Sequence, residues 1–406
     1  MPNSKITFKE VRNKTITGIA FQFLPLLTIN LIFPSIKNIP GSESIVFLYA
    51  VFVFILFCLG YGLCAEAIDK YAAYKGYKNP LFILSILNIF SLAILLLLPN
   101  RNIINNRANK DPLERFSIRA IFASYLIIPF MVLAPVITIL FFFMPPENVE
   151  LYIQNNKNYS TFSELVTVIA LAWYFFKQLK ISNIDPKHIL GSFEKINFKL
   201  PIELAVIKYI FGWGINPISL YGLSFVIPKY VEAQLNYEYA TTPISWILFS
   251  ISALIYAPIM EEIFFRGLIF QKLAIRKGII QGLSISAILF AAIHFRFDVI
   301  PLFIMGIIAS LIYFKTKQLA TPIIYHFAYN LIVVVRRLFY QLFPDTDPSA
   351  KVTIIEYQHH FQDNFELYII FLAISIPYLS YFIYKNFPRK FTVEKLPYFV
   401  NQARAN

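Results

Sequence analysis

Charge is scarce in this sequence. Of its 406 residues only 15% are Asp, Glu, Lys or Arg, against about 25% in a soluble domain, and 57% are hydrophobic, against about 45–50%. That shortage argues against a chain whose main solvent is water. Cysteine is nearly absent, with only Cys58 and Cys64 present. They stand six residues apart in one apolar run, where a helix holds them about 9 Å apart along its axis, which argues against a disulfide between them. An internal repeat, a low-complexity tract and the HExxH helix of many zinc proteases are also missing. The amino terminus has no short hydrophobic region ending in a small-residue cleavage site, so the first apolar run reads as a retained span.

What the sequence has instead is apolar length. Runs at 15–36, 44–65, 81–99, 117–144, 163–180, 202–227, 243–260 and 366–384 each approach or exceed the roughly 20 residues that cross a bilayer. Three more, at 279–295, 299–314 and 319–344, are interrupted by a few polar residues. The runs are continuous rather than alternating, which favours helices over a barrel. The fold class expected is all-α, a polytopic transmembrane helix bundle of roughly eight to eleven spans.

The net charge of +13 does not point to nucleic acid, because Lys and Arg sit in short connections between apolar runs, as cytoplasmic orientation signals do. On that rule the connections Arg101 to Arg119, Lys177 to Lys199 and Arg266 to Lys277 face the cytoplasm. The stretches Glu147 to Glu164 and Lys229 to Glu238 face outside. Three spans before Arg101 would put two basic regions on opposite faces, so one early run is expected not to cross. Three regions follow: 1–200, a multi-span part of unknown role; 201–345, which carries the chemistry; and 346–406, a loop, a final span and a basic tail. The tail from Lys385 to Asn406 reads as a cytoplasmic, partly disordered end.

Ionisable groups inside apolar runs are costly and mark bundle interiors or functional cavities. Glu261 and Glu262 lie between two long apolar runs, and Glu262 stands four residues before Arg266, the spacing of a helical ion pair. Neighbouring helical positions point about 100° apart, which leaves Glu261 free to face something else. His294 ends the next apolar run. Glu261 precedes Gly278 by 17 residues and His294 follows it by 16, so a hairpin turning there holds both at one depth, roughly 25 Å from the turn. His326 and Asn330 share a face of the following run, some 8–14 Å from its start, and must meet Glu261 through tilted or unequal helices. The other histidines, His188, His359 and His360, lie in polar connections and carry less information.

At these residues the sequence resembles the CPBP family of CAAX prenyl proteases and bacteriocin-processing intramembrane endopeptidases, also called the Abi family. The pattern EExxxR stands here at Glu261, Glu262 and Arg266, FxxxH at Phe290 and His294, and HxxxN at His326 and Asn330. The resemblance covers roughly 200–345, most strongly 245–335. It implies a membrane-embedded endopeptidase in which Glu261 and His294 activate a water while His326 and Asn330 stabilise the oxyanion, with Glu262, Arg266 and Phe290 in support. No cofactor is expected, and the alternative is Zn2+ held by Glu261, His294 and His326, since the family has been described both ways. The partners implied are the lipid bilayer and a membrane protein or a lipidated or peptide substrate, and the location is a bacterial cytoplasmic membrane. Two rival functions are a non-catalytic scaffold or immunity-type binding protein, and a proton-coupled transporter using Glu261, Glu262 and His294 as a relay.

Overall fold

A computed structural model of the chain describes residues 9–22, 43–77, 111–121, 157–236 except 195, 243–294, 296–343, 351–389 and 391–405, with a few further positions between 95 and 132. Every element among the described residues is helical. The molecule is an all-α bundle of apolar helices and an integral membrane protein. It divides into two compact units, Met1–Asn183 and Ile184–Asn406.

In the first unit, α1 (Glu43–Tyr74) packs on a helix at 9–22. Glycine makes the approach possible: a Cβ on Gly60 would stand 2.6 Å from the Gly18 carbonyl oxygen. Val11, Cys64, Ala67, Ile68, Tyr71 and Ala72 close the contact. At its edge Lys14 pairs with Glu66, and Lys70 with Glu66 at 2.9 Å and Glu10 at 2.5 Å. Both cysteines are free, Cys58 exposed and Cys64 buried. The run at 163–180 forms α2 (Lys157–Ile181), from which Tyr174 donates to the Leu97 carbonyl at 2.6 Å. Most of each of the expected spans at 15–36, 81–99 and 117–144 lies outside the described residues.

The second unit contains α3 (Pro186–Leu190), α4 (Lys199–Val226), α5 (Pro228–Leu235) and α6 (Pro243–Lys277). It continues with α7 (Ile279–Ala292), α8 (Val299–Thr316), α9 (Ala320–Leu342), α10 (Ile354–Asp363), α11 (Phe365–Asn386) and α12 (Pro397–Ala405). Each apolar run expected between 202 and 384 forms one of these helices. Among the described residues, Val51–Tyr74, α6, α8 and α11 are long and apolar enough to cross a bilayer. The bundle is built on α4, which packs against α8, α9 and α11, and on α7, which packs against α8 and the second half of α6.

The α6–α7 hairpin turns at Gly278, whose φ of 86° is one that only glycine adopts without strain. Its two arms touch closely: a Cβ on Gly282 would lie 2.8 Å from the Ala274 nitrogen, and one on Gly306 of α8 would lie 2.8 Å from Ala287. Helix α6 is not uniformly α. Ser252–Tyr256 and Ile263–Phe270 are π-helical and bracket the α-turn Ala257–Glu262. A π-turn skips the regular i→i−4 bond and leaves carbonyls for other donors, and such turns favour functional sites. Ala253 and Phe265 each spend a carbonyl in this way, on Asn330 Nδ2 at 2.7 Å and Ser286 Oγ at 3.0 Å. The wider π-turns also shorten the rise, so Glu261 lies nearer the Gly278 turn than a straight α-count of about 25 Å gives.

The tail corrects the expectation of a partly disordered end. Past α11 the chain folds back into α12, with Leu396 and Tyr398 buried. Tyr398 N donates to Gln271 Oε1 at 2.7 Å, and Asn401 Nδ2 donates to the carbonyls of His188 at 3.0 Å and Lys317 at 2.9 Å. Apolar side chains and a polar residue that satisfies two loop carbonyls outweigh the basic composition on which disorder was expected. At the other end Asn236 exchanges two hydrogen bonds with Val352, and Tyr221 stacks on Phe361 with centroids 4.1 Å apart. There α10 starts at a capping box between Thr353 and Glu356.

Candidate active site

Glu261 and Glu262 occupy the single α-turn between the two π segments and point to different neighbours. Glu262 is wholly buried, and its Oε1 accepts from Arg266 Nη1 at 2.8 Å, the pairing that their spacing suggested. The same oxygen lies 2.9 Å from His326 Nδ1, a contact with α9 that the sequence did not reveal. An oxygen that accepts from a guanidinium accepts from the imidazole too, so His326 Nδ1 carries the hydrogen and donates. His326 Nε2 then faces Glu261, 4.0 Å from its Oε2.

His294 is held in the same sense. Its Nδ1 lies 2.7 Å from the Phe290 carbonyl, which can only accept, so Nδ1 carries the hydrogen and Nε2 presents its lone pair. Nε2 is 3.8 Å from Glu261 Oε2. Both separations are too long for a direct hydrogen bond and suit a water between the groups. Glu261 Oε2 is buried and has no protein donor. The hairpin thus joins Glu261 and His294, and α9 brings His326.

Phe290 is the spacer of the site. Fully buried, it lays its ring 4.3 Å from the Arg266 guanidinium carbon, 4.9 Å from the His294 ring and 6.1 Å from the His326 ring. Asn330, one turn beyond His326, donates through Nδ2 to the Ala253 carbonyl, which the π segment has freed. An amide nitrogen has two hydrogens, so one remains for the cavity that Asn330 also lines.

That cavity, about 230 Å³, is bounded by Glu261, His294, His326 and Asn330. Arg296, Asp298, Tyr329 and Arg337 line it as well, and the sequence reading passed over all four. The signal that could have found the first two is their place in the short connection directly after His294. Glu261, His294 and His326 offer zinc-type donors, but their 3.8 and 4.0 Å separations exceed the about 3.3 Å between neighbouring ligands implied by zinc bonds near 2.0–2.1 Å.

An all-helical membrane bundle with paired carboxylates and two tautomer-fixed imidazoles around a cavity defines a class of intramembrane site, and comparison with known proteins agrees with it. Residues 243–332 match the type II CAAX prenyl endopeptidase Rce1-like family. The membrane-embedded CAAX protease MroQ of Staphylococcus aureus (strain USA300) is similar, 32% identical over 165 residues, which are 36% of this chain and 66% of that protein. The match thus spans just under two thirds of the relative's length. No solved structure matches the chain.

Proposed function

We propose that the chain is an intramembrane endopeptidase that hydrolyses peptide bonds of membrane-associated proteins or of lipidated or membrane-derived peptides. The observation that carries the reading is the convergence of two imidazole Nε2 atoms on Glu261 Oε2 at 3.8 and 4.0 Å. A water among these groups donates one hydrogen to Glu261 and the other to the lone pair of His294 Nε2. As the water oxygen attacks the substrate carbonyl carbon, Glu261 takes its proton. Glu261 then delivers that proton to the departing amine nitrogen as the C–N bond breaks.

The carbonyl oxygen becomes an oxyanion and needs donors in a water-poor site. Asn330 supplies its second amide hydrogen. His326 donates from Nε2 only as imidazolium, because Nδ1 already holds a hydrogen towards Glu262. The role of Glu262 is therefore to stabilise that cation, and Arg266 holds Glu262 in place. The resulting mechanism needs no metal. By its relative the site belongs in a bacterial cytoplasmic membrane.

The test is cleavage of a membrane-derived peptide library by purified, detergent-solubilised protein, with and without a strong zinc chelator. Glu261→Gln is expected to lose about 10²–10⁴-fold in rate, and His294→Ala a comparable amount. Unchanged cleavage by Glu261→Gln sinks the reading. Loss of wild-type activity on chelation transfers the same residues to a metalloprotease, and absence of cleavage by every form favours a scaffold.

A further inference from the structure

The cavity holds charged side chains that hydrolysis does not use. Asp298, the residue before α8, is buried, and its Oδ2 accepts from Arg296 Nη2 at 2.8 Å. The Asp298 side chain is 4% exposed and that of Arg296 40%. Arg296 follows His294 by two residues and lines the cavity with it. One nitrogen of its guanidinium is thus anchored from behind, which aims a rigid fork whose other N–H donors stay available to a ligand.

Beside this pair lies Lys208 of α4. It has no exposed surface, its Nζ has no hydrogen-bond acceptor, and it sits 3.1 Å from the centre of the Tyr329 ring. Tyr329 lines the cavity, and Asp298 and Arg296 are the charges that act on Lys208. Arg296 and Asp298 therefore form an ion pair in a region poor in water, where a guanidinium donor left without an acceptor is costly. An anchored guanidinium fork selects a planar carboxylate.

We infer that Arg296, aimed by Asp298, is a specificity-determining residue that binds a carboxylate of the substrate beside the scissile bond. Asp298 is a positioning residue. The carboxylate comes from an acidic side chain or from a free chain end, which share this chemistry. The assignment rests on the endopeptidase reading for its substrate but not for its test, because binding is measured without turnover.

The experiment uses the full chain carrying Glu261→Gln in detergent micelles and follows fluorescence anisotropy of a labelled apolar heptapeptide. Four matched versions combine a free acid or amide at the carboxyl end with Glu or Gln at one central position. At least one carboxylate-bearing version is expected to bind about tenfold tighter than the peptide with neither carboxylate. An acid-over-amide preference identifies the chain end, and a Glu-over-Gln preference identifies the side chain. Adding Arg296→Gln brings the ratio to about one, whereas Arg296→Lys, which keeps the charge but not the fork, retains part of it. Equal binding of all four versions, or a preference that survives Arg296→Gln, overturns the inference. Carboxylate-selective binding alongside a wild-type chain that cleaves no peptide sinks the hydrolase reading and leaves this one standing.

Discussion

In the amino-terminal unit Lys14, Glu66, Lys70 and Glu10 pair where their side chains are 27–45% exposed, whereas in the carboxy-terminal unit Glu262 and Arg266 pair with no exposure at all. Exposed pairs contribute little each, because solvent screens them and ordering long side chains costs entropy. A buried pair is different in kind, since losing one partner strands the other in a medium that cannot solvate it. The first unit can vary its charges with small effect. The second has tied Glu262 to Arg266 and to His326, so that the fold and the candidate site share one carboxylate.

The sharpest test of this contrast is Glu262→Gln, which leaves Arg266 buried without its counter-charge. Chemical unfolding in mixed micelles should show a loss of about 3–5 kcal/mol. Glu66→Gln should cost less than about 1 kcal/mol in the same assay. Equal losses would abolish the contrast. A second test probes what the units have in common, the close approach of helices at glycine. Gly306→Ala and Gly60→Ala each force a methyl group into contacts at 2.8 and 2.6 Å, and each should destabilise its own unit by about 1–3 kcal/mol. Gly222→Ala, which meets nothing within 4 Å, should instead gain up to about 1 kcal/mol.

The smallest effect concerns Lys317, in the left-handed conformation just past α8, where burial lowers its pKa to about 8, assisted by Arg404 and Lys395. Between about 8 and the ordinary value of 10.5 the unfolded chain binds the extra proton, so this group's contribution to stability rises with pH across that window. Lys317→Asn, which keeps a residue tolerant of positive φ, removes that slope. Thermal midpoints of wild type and variant should therefore differ by several-tenths of a degree or more at pH 7.5 and converge towards pH 10. A gap independent of pH would assign the effect to packing alone.

Much of the site was legible because its geometry is arithmetic. Glu261 and His294 stand nearly equal distances from Gly278, and a glycine turn between two apolar runs makes an antiparallel pair whatever packs around it. The arrival of α9 was not legible, because α-helical counting assumes one rise per residue and two stretches of α6 depart from it. The link from Glu262 to His326 was missed for a related reason. Spacing reveals partners within a helix, such as Arg266, while a partner 64 residues away depends on how helices are rotated against each other. Asn330 was read as an oxyanion donor, and half of its amide is also a strut holding α9 to the Ala253 carbonyl. Arg296 and Asp298 escaped notice because charged residues in a connection look solvated until the cavity beside them is known.

The fold-back of α12 also sets an order of events during synthesis. Gln271, His188 and Lys317 reach the nascent chain long before Tyr398 and Asn401, the residues that close on them. Until positions 397–405 emerge, the basic end of the second unit stays unsealed while the α6–α7 hairpin is already made. A ribosome stalled near residue 390 therefore displays every residue of the candidate site while α11 and α12 have yet to join the bundle.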